Sequence, residues 1–291
     1  MLFKIFSIVF PIFSVVFNGF TYGRKHQPSM VAANQVNMAI FVPALVFSAL
    51  AGKSVDGGNT VLIAIGGAVV VLGSGLLGLP IARLFGYAPR TLLPPMMFKN
   101  AGNMGLPLLV LAFGNQILTV AVVLFLVENI LHFVISSYWL GHSRKLWTVL
   151  REPVLVAGCA GALVGLLHIE VWEPVLSASR ILGNVSTGLM LFSLGVRLNS
   201  APFGQWRIGL VGAVATPLTG MCMAFLFSQI FELSQGEREA LFVFGSLPPA
   251  VLNFMFAERF NQEADKVASI VIIGTLISVL SVSFALAVQM Q

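Results

Sequence analysis

Between Thr60 and Ala82 the chain reads "TVLIAIGGAVVVLGSGLLGLPIA", without one charged side chain. About 20 consecutive apolar residues are enough to cross the hydrocarbon core of a bilayer as a helix. In lipid every backbone N–H and C=O must be satisfied internally, which leaves only helices and closed barrels. Barrel strands alternate with period two, and this run does not. Similar runs recur along the chain. Hydrophobic residues make up 57% of the sequence and charged residues 9%, against about 25% charged in soluble domains. The expected fold class is therefore an all-α polytopic membrane protein. Ten transmembrane helices are expected, near 3–21, 31–51, 59–82, 92–113, 116–139, 154–168, 175–196, 207–231, 237–257 and 266–288. No loop is long enough to hold a soluble domain, and there is no low-complexity segment.

The first apolar run has only Lys4 before it, Pro11 within it and no small-x-small cleavage site after it. It reads as a retained span rather than a signal peptide. Cys159 and Cys222 both fall inside apolar runs and are expected to be packing residues rather than a disulfide. Orientation follows from Lys and Arg, which favour cytoplasmic loops. With the N-terminus outside, eleven basic residues fall inside: Arg24, Lys25, Arg83, Arg90, Arg144, Lys145, Arg151, Arg197, Arg207, Arg259 and Lys266. Four fall outside: Lys4, Lys53, Arg180 and Arg238. Both termini are expected to be extracytoplasmic, in the cell's inner (plasma) membrane. The net charge of +5 is spread over several loops and is no nucleic-acid footprint.

Ten spans divide into five and five, residues 1–150 and 151–291. An odd number per half makes the second repeat enter the membrane inverted, a common plan in secondary transporters. "LVFSAL" (45–50) resembles "MLFSLG" (190–195), and "MGLPL" (104–108) resembles "SLPP" (246–249), at nearly equal offsets. In matching places, helices 4 and 9 both carry small residues beside proline: Gly105 and Pro107 in one, Ser246, Pro248 and Pro249 in the other. Proline removes a backbone donor and breaks the helix ladder. Irregular backbone survives at membrane depth only when buried in protein or beside a water-filled cavity. A matched pair of interrupted spans is the best sequence pointer to a transporter's binding site. Asn100, Asn103 and Asn253 flank these breaks and are candidate substrate contacts.

"NAGNMGLPLLVLAFG" and "SLPPAVLNFMFAERF" resemble the two signature stretches of the auxin efflux carrier family, which includes bacterial malonate-type carriers and plant PIN auxin carriers. "PALVFSALAG" and "LFSLGVRL" are similar to the same family, in order along the chain. The resemblance implies two inverted five-helix repeats in which helices 4 and 9 cross at their breaks. It implies a scaffold of helices 1, 2, 6 and 7, usually homodimeric, and a moving transport domain of helices 3–5 and 8–10. It implies small organic carboxylates as substrates, alternating access with an elevator-like movement, and an amide at Asn100 facing the substrate carboxylate. Two features depart from the family. The long cytoplasmic loop of many plant members is absent, and helix 3 has no charge before Arg83, where some plant members carry acidic and basic residues.

Three ionisable residues fall within spans. Lys99 carries an apparent insertion penalty of about 3 kcal/mol; it either snorkels to the inner surface or draws an anion inward. Glu128 and His132 are four residues apart and share a face of helix 5. They form either a proton-handling pair or a structural one. No Walker loop, HExxH or GxSxG motif is present, so neither enzyme chemistry, a cofactor nor a metal is expected. Transport is expected to run on gradients. Rival readings are a sodium-coupled carrier of the bile-acid or sodium–proton exchanger type, which "SLPPAVLN" disfavours by lacking an acid, and a non-transporting membrane receptor.

Overall fold

A computed structural model describes residues 2–51, 57–139, 151–200 and 203–289. Lys53, Arg144 and Lys145, used in the charge count, lie outside the described residues. Among the described residues every element is helical, apart from one antiparallel bridge. The chain runs α1 (Leu2–His26), α2 (Val31–Ala51, with a π turn at Asn37–Phe41) and α3 (Gly57–Leu84). A broken helix follows, as α4a (Pro89–Met97) and α4b (Ala101–Phe113, opening on a π turn at Ala101–Gly105). Then come α5 (Leu118–Trp139), α6 (Pro153–Leu166), α7 (Glu173–Arg197) and α8 (Trp206–Ile230). The last elements are a second broken helix, α9a (Gln235–Ser246) and α9b (Leu252–Arg259), and α10 (Ala264–Gln289).

Seven of these helices are long and apolar enough to cross a membrane, fewer than the ten expected. The other three fall short for identifiable reasons. α6 has 14 residues, about 21 Å at 1.5 Å per residue, against a core of about 30 Å. α4 and α9 are interrupted, so neither offers a continuous run. Local signals set the ends. Ser234 and Glu237 form a capping box at the start of α9a, satisfying two orphan donors at once. Proline sits in the first turn of α4a, α6 and α7, where its missing N–H costs nothing.

Apolar side chains give helices no reason to prefer each other over lipid, so close contact rests on small residues. α1 and α7 meet backbone to backbone. A Cβ on Gly19 would lie 2.1 Å from the Phe192 carbonyl oxygen, and one on Gly195 would lie 1.9 Å from that of Val16. α2 seats α6 at Gly161 and α7 at Gly183. Elsewhere α8 packs on α10 and α9a, and α3 packs on α4a, α5 and α8. At the α8–α9a crossing a Cβ on Gly220 would fall 2.2 Å from the Gly245 carbonyl oxygen. The helices thus fall into two sets, α1, α2, α6 and α7 against α3, α4, α5, α8, α9 and α10. Cys159 and Cys222 are free and exposed, which corrects the expectation that they pack internally. An outward-facing thiol meets the apolar demand of that surface as well as any small hydrophobe does.

Candidate functional site at the crossing of two broken helices

The breaks in α4 and α9 lie side by side and satisfy each other. The Asn100 N–H donates to the Pro248 carbonyl at 2.7 Å, and the Ala250 N–H donates to the Phe98 carbonyl at 2.9 Å. These bonds flank the antiparallel bridge between Lys99 and Pro249. Pro249 faces Lys99 in the non-hydrogen-bonded place of this short ladder, so its missing N–H leaves nothing unpaired. Several other carbonyls around the breaks also find partners, as most buried backbone does. Phe98 and Ala250 each accept from the Asn253 amide at 2.9 Å. Pro95 accepts from the Thr216 hydroxyl, and Ser246 from the Ser281 hydroxyl. Asn100 accepts from both the Met104 and Gly105 N–H groups.

The helix 4 interruption lies at Phe98–Asn100, not at Gly105–Pro107. Gly105 closes the π turn and Pro107 stands in the first turn of the α-helical part of α4b, where proline is tolerated. The break arises because the Asn100 N–H is given to α9 instead of to Met96.

A cavity of about 260 Å³ adjoins the crossing. Its wall includes Asn34 and Met38 of α2, Asn100, Gly102 and Asn103 of α4, Glu128, Asn129 and His132 of α5, Glu152 before α6, Ser193 and Arg197 of α7, and Val251 and Leu252 of α9. Both sets of helices contribute. Two helix starts open onto it: the N–H groups of Gly102 and Asn103, and of Val251 and Leu252, make no backbone hydrogen bond among the described residues. Such free N–H groups carry partial positive charge and receive anions. The Asn100 side chain is 3% exposed, and its amide nitrogen has no partner. Arg197 adds a cation that makes no ion pair among the described residues and donates to the Met255 sulfur at 3.8 Å.

The structure brings Lys99, Asn100, Asn103, Glu128 and His132 to this wall. Gly105, Pro107, Ser246, Pro248, Pro249 and Asn253 do not line it; Pro248, Pro249 and Asn253 pair within the crossing itself. Lys99 is fully buried and does not snorkel. Glu128 and His132 are likewise buried, and His132 Nδ1 lies 3.4 Å from Glu128 Oε1. That is ion-pair reach without hydrogen-bond alignment, so both atoms lack a hydrogen-bond partner. The His132 ring stacks on Phe98 at 4.1 Å and 7°, which ties the pair to the break. Sequence reasoning missed Arg197, Asn34, Asn129, Ser193 and Glu152. Arg197 was read as a loop charge because it ends its helix; the amides carry no local signal at all.

A polar, partly cationic cavity beside two paired, broken helices is an arrangement that carriers use. Residues 139–286 match the family model described as membrane transport protein, and the chain belongs to that family. It is a membrane transporter, and the match supports the resemblance to the auxin efflux carriers. The matched stretch holds α6 to α10 and the second break; the first break lies before it. No curated protein matches the chain.

Proposed function

We propose that the protein is a secondary carrier of small organic anions and holds them in the cavity beside the crossing. The observation that carries this reading is the unpartnered, buried amide of Asn100 beside two bare helix starts. A buried donor without a partner costs about 1–3 kcal/mol, a cost that a bound carboxylate removes. Neutral amides and N–H groups attract an anion without fixing it permanently, which suits release. Arg197 supplies the net charge. α1, α2, α6 and α7 act as a scaffold, and the other helices carry the site past it in an elevator-like movement. Thermal stabilisation of the purified protein by a panel of mono- and dicarboxylates tests the class. Stabilisation by carboxylates and not by their amides is expected; stabilisation by neither refutes it.

Proton coupling follows from the same wall. The other titratable residues of the cavity wall are His132 on the same helix, Lys99, Arg197 and Glu152. An anion bound near an ionised Glu128 meets a repulsion of roughly 3 kcal/mol for charges about 6 Å apart at an effective dielectric of 20. Anion binding therefore favours the uncharged form of Glu128. Substrate affinity should rise as pH falls, and Glu128→Gln should flatten that dependence while leaving binding intact. The wild-type slope surviving in a folded Glu128→Gln protein contradicts the assignment.

The cavity lies toward the ends of α1 and α7 and the starts of α2 and α6, the side that the charge count places in the cytoplasm. This is an inward-facing state of a plasma-membrane protein. With the native cysteines replaced, Gln235→Cys should react with an impermeant maleimide on intact cells, and Ser29→Cys should react only after lysis. The reverse pattern overturns the orientation.

A further inference from the structure

The Lys99 ammonium is 0% exposed and surrounded by oxygen. It donates to the Met96 carbonyl at 3.0 Å, the Ser74 hydroxyl at 3.3 Å and the Thr216 carbonyl at 3.4 Å. No carboxylate lies within ion-pair distance of it among the described residues. Each oxygen has a reason to be there. Met96 is in the last turn of α4a, and its carbonyl lost its helical partner when the Asn100 N–H turned to Pro248. Thr216 lies inside α8, and its carbonyl also accepts from the Thr219 hydroxyl. Ser74 comes from the middle of α3. The room for the ammonium comes from Gly220: a Cβ there would sit 2.8 Å from Lys99 Nζ and 2.5 Å from its Cε.

A carrier's interrupted helices present two kinds of end. The starts are partly positive and favour anions; the C-terminal ends and unwound carbonyls are partly negative and coordinate Na⁺. Here the starts of α4b and α9b open on the cavity, while the C-terminal end of α4a faces the Lys99 ammonium. Two carbonyls and a hydroxyl from three helices form a donor set suited to an alkali cation, and a covalently tethered ammonium fills it.

We infer that Lys99 is a built-in substitute for a coupling cation: the oxygens of Ser74, Met96 and Thr216 form an alkali-cation site that the lysine occupies, so the carrier folds and cycles without Na⁺. This stands apart from the identity of the anion, because the ammonium's three oxygen partners come from α3, α4a and α8 and none of them lines the cavity. It also separates this chain from the sodium-coupled carriers that share its plan. Lys99 then ties α3, α4a and α8 together at all stages of the cycle, where a free ion would come and go.

The test uses purified protein in detergent, with unfolding midpoints measured in NaCl, KCl and N-methyl-D-glucamine chloride at equal ionic strength. The wild-type midpoint should be the same in all three. Lys99→Ala should lose several degrees in N-methyl-D-glucamine chloride and regain much of that loss in NaCl, saturably. Lys99→Met fills the space without a charge and should be destabilised in every salt. A saturable Na⁺ stabilisation of the wild type overturns the inference, and so does a Lys99→Met protein as stable as wild type. A Lys99→Ala midpoint that is the same in the three salts also overturns it. The wild-type measurement decides the question even if neither variant can be purified.

Discussion

Gly195→Ala should separate α1 from α7 and destabilise the protein more than any other single methyl added to it. The added Cβ would stand 1.9 Å from the Val16 carbonyl oxygen and 2.8 Å from the Phe20 nitrogen and the Val16 carbonyl carbon. All three are backbone atoms of α1, so no rotamer change relieves the clash. The helices must move apart, and the neighbouring contact of Gly19 with the Phe192 carbonyl opens with them. Overpacking a tight contact costs typically 1–3 kcal/mol and sometimes more. Alanine returns at most about 1 kcal/mol in helix propensity. Steric cost therefore wins, and the unfolding midpoint in detergent should drop by several degrees. Gly188, on the same helix, has open space where its Cβ would go. Gly188→Ala should be neutral or stabilising. Equal midpoints for Gly195→Ala and wild type would show that the α1–α7 contact is looser than described.

How much of this was legible in the sequence varies by residue. Apolar run length located each helix to within a few residues, because lipid imposes one rule on every segment. The second break was legible at Pro248–Pro249, where two adjacent prolines remove two donors in mid-span; adjacency alone is not decisive, since Pro94 and Pro95 stay within α4a. The first break was placed too late, at Gly105–Pro107. Proline at the start of a helix looks the same in sequence as proline that breaks one, and only the pairing of Asn100 with Pro248 distinguishes them. Asn100, Asn103, Glu128 and His132 stood out as polar groups in apolar runs. What each does depended on contacts between distant segments. Asn253 proved to hold the Phe98 and Ala250 carbonyls, 155 and three residues away. Lys99 proved to be sealed among three helices. The π turns at Asn37–Phe41 and Ala101–Gly105, which help to shape the cavity wall, left no recognisable mark in the sequence.

Under the proposed function, the cavity beside the crossing receives a carboxylate through Asn100 and the bare N–H groups around it. The most direct measurement is equilibrium binding of the best-stabilising carboxylate to purified wild type, Asn100→Ala and Arg197→Gln proteins. A hydrogen bond to a charged group contributes about 1.5–3 kcal/mol, so Asn100→Ala should weaken binding roughly tenfold to a hundredfold. Its backbone N–H, which holds the crossing to Pro248, is untouched by the substitution, and the unfolding midpoint should stay close to wild type. Arg197→Gln should weaken carboxylate binding as well, with a loss that shrinks as salt is added, because a partly exposed charge is screened. A folded Asn100→Ala protein that binds the carboxylate as tightly as wild type would contradict the account and place the substrate elsewhere.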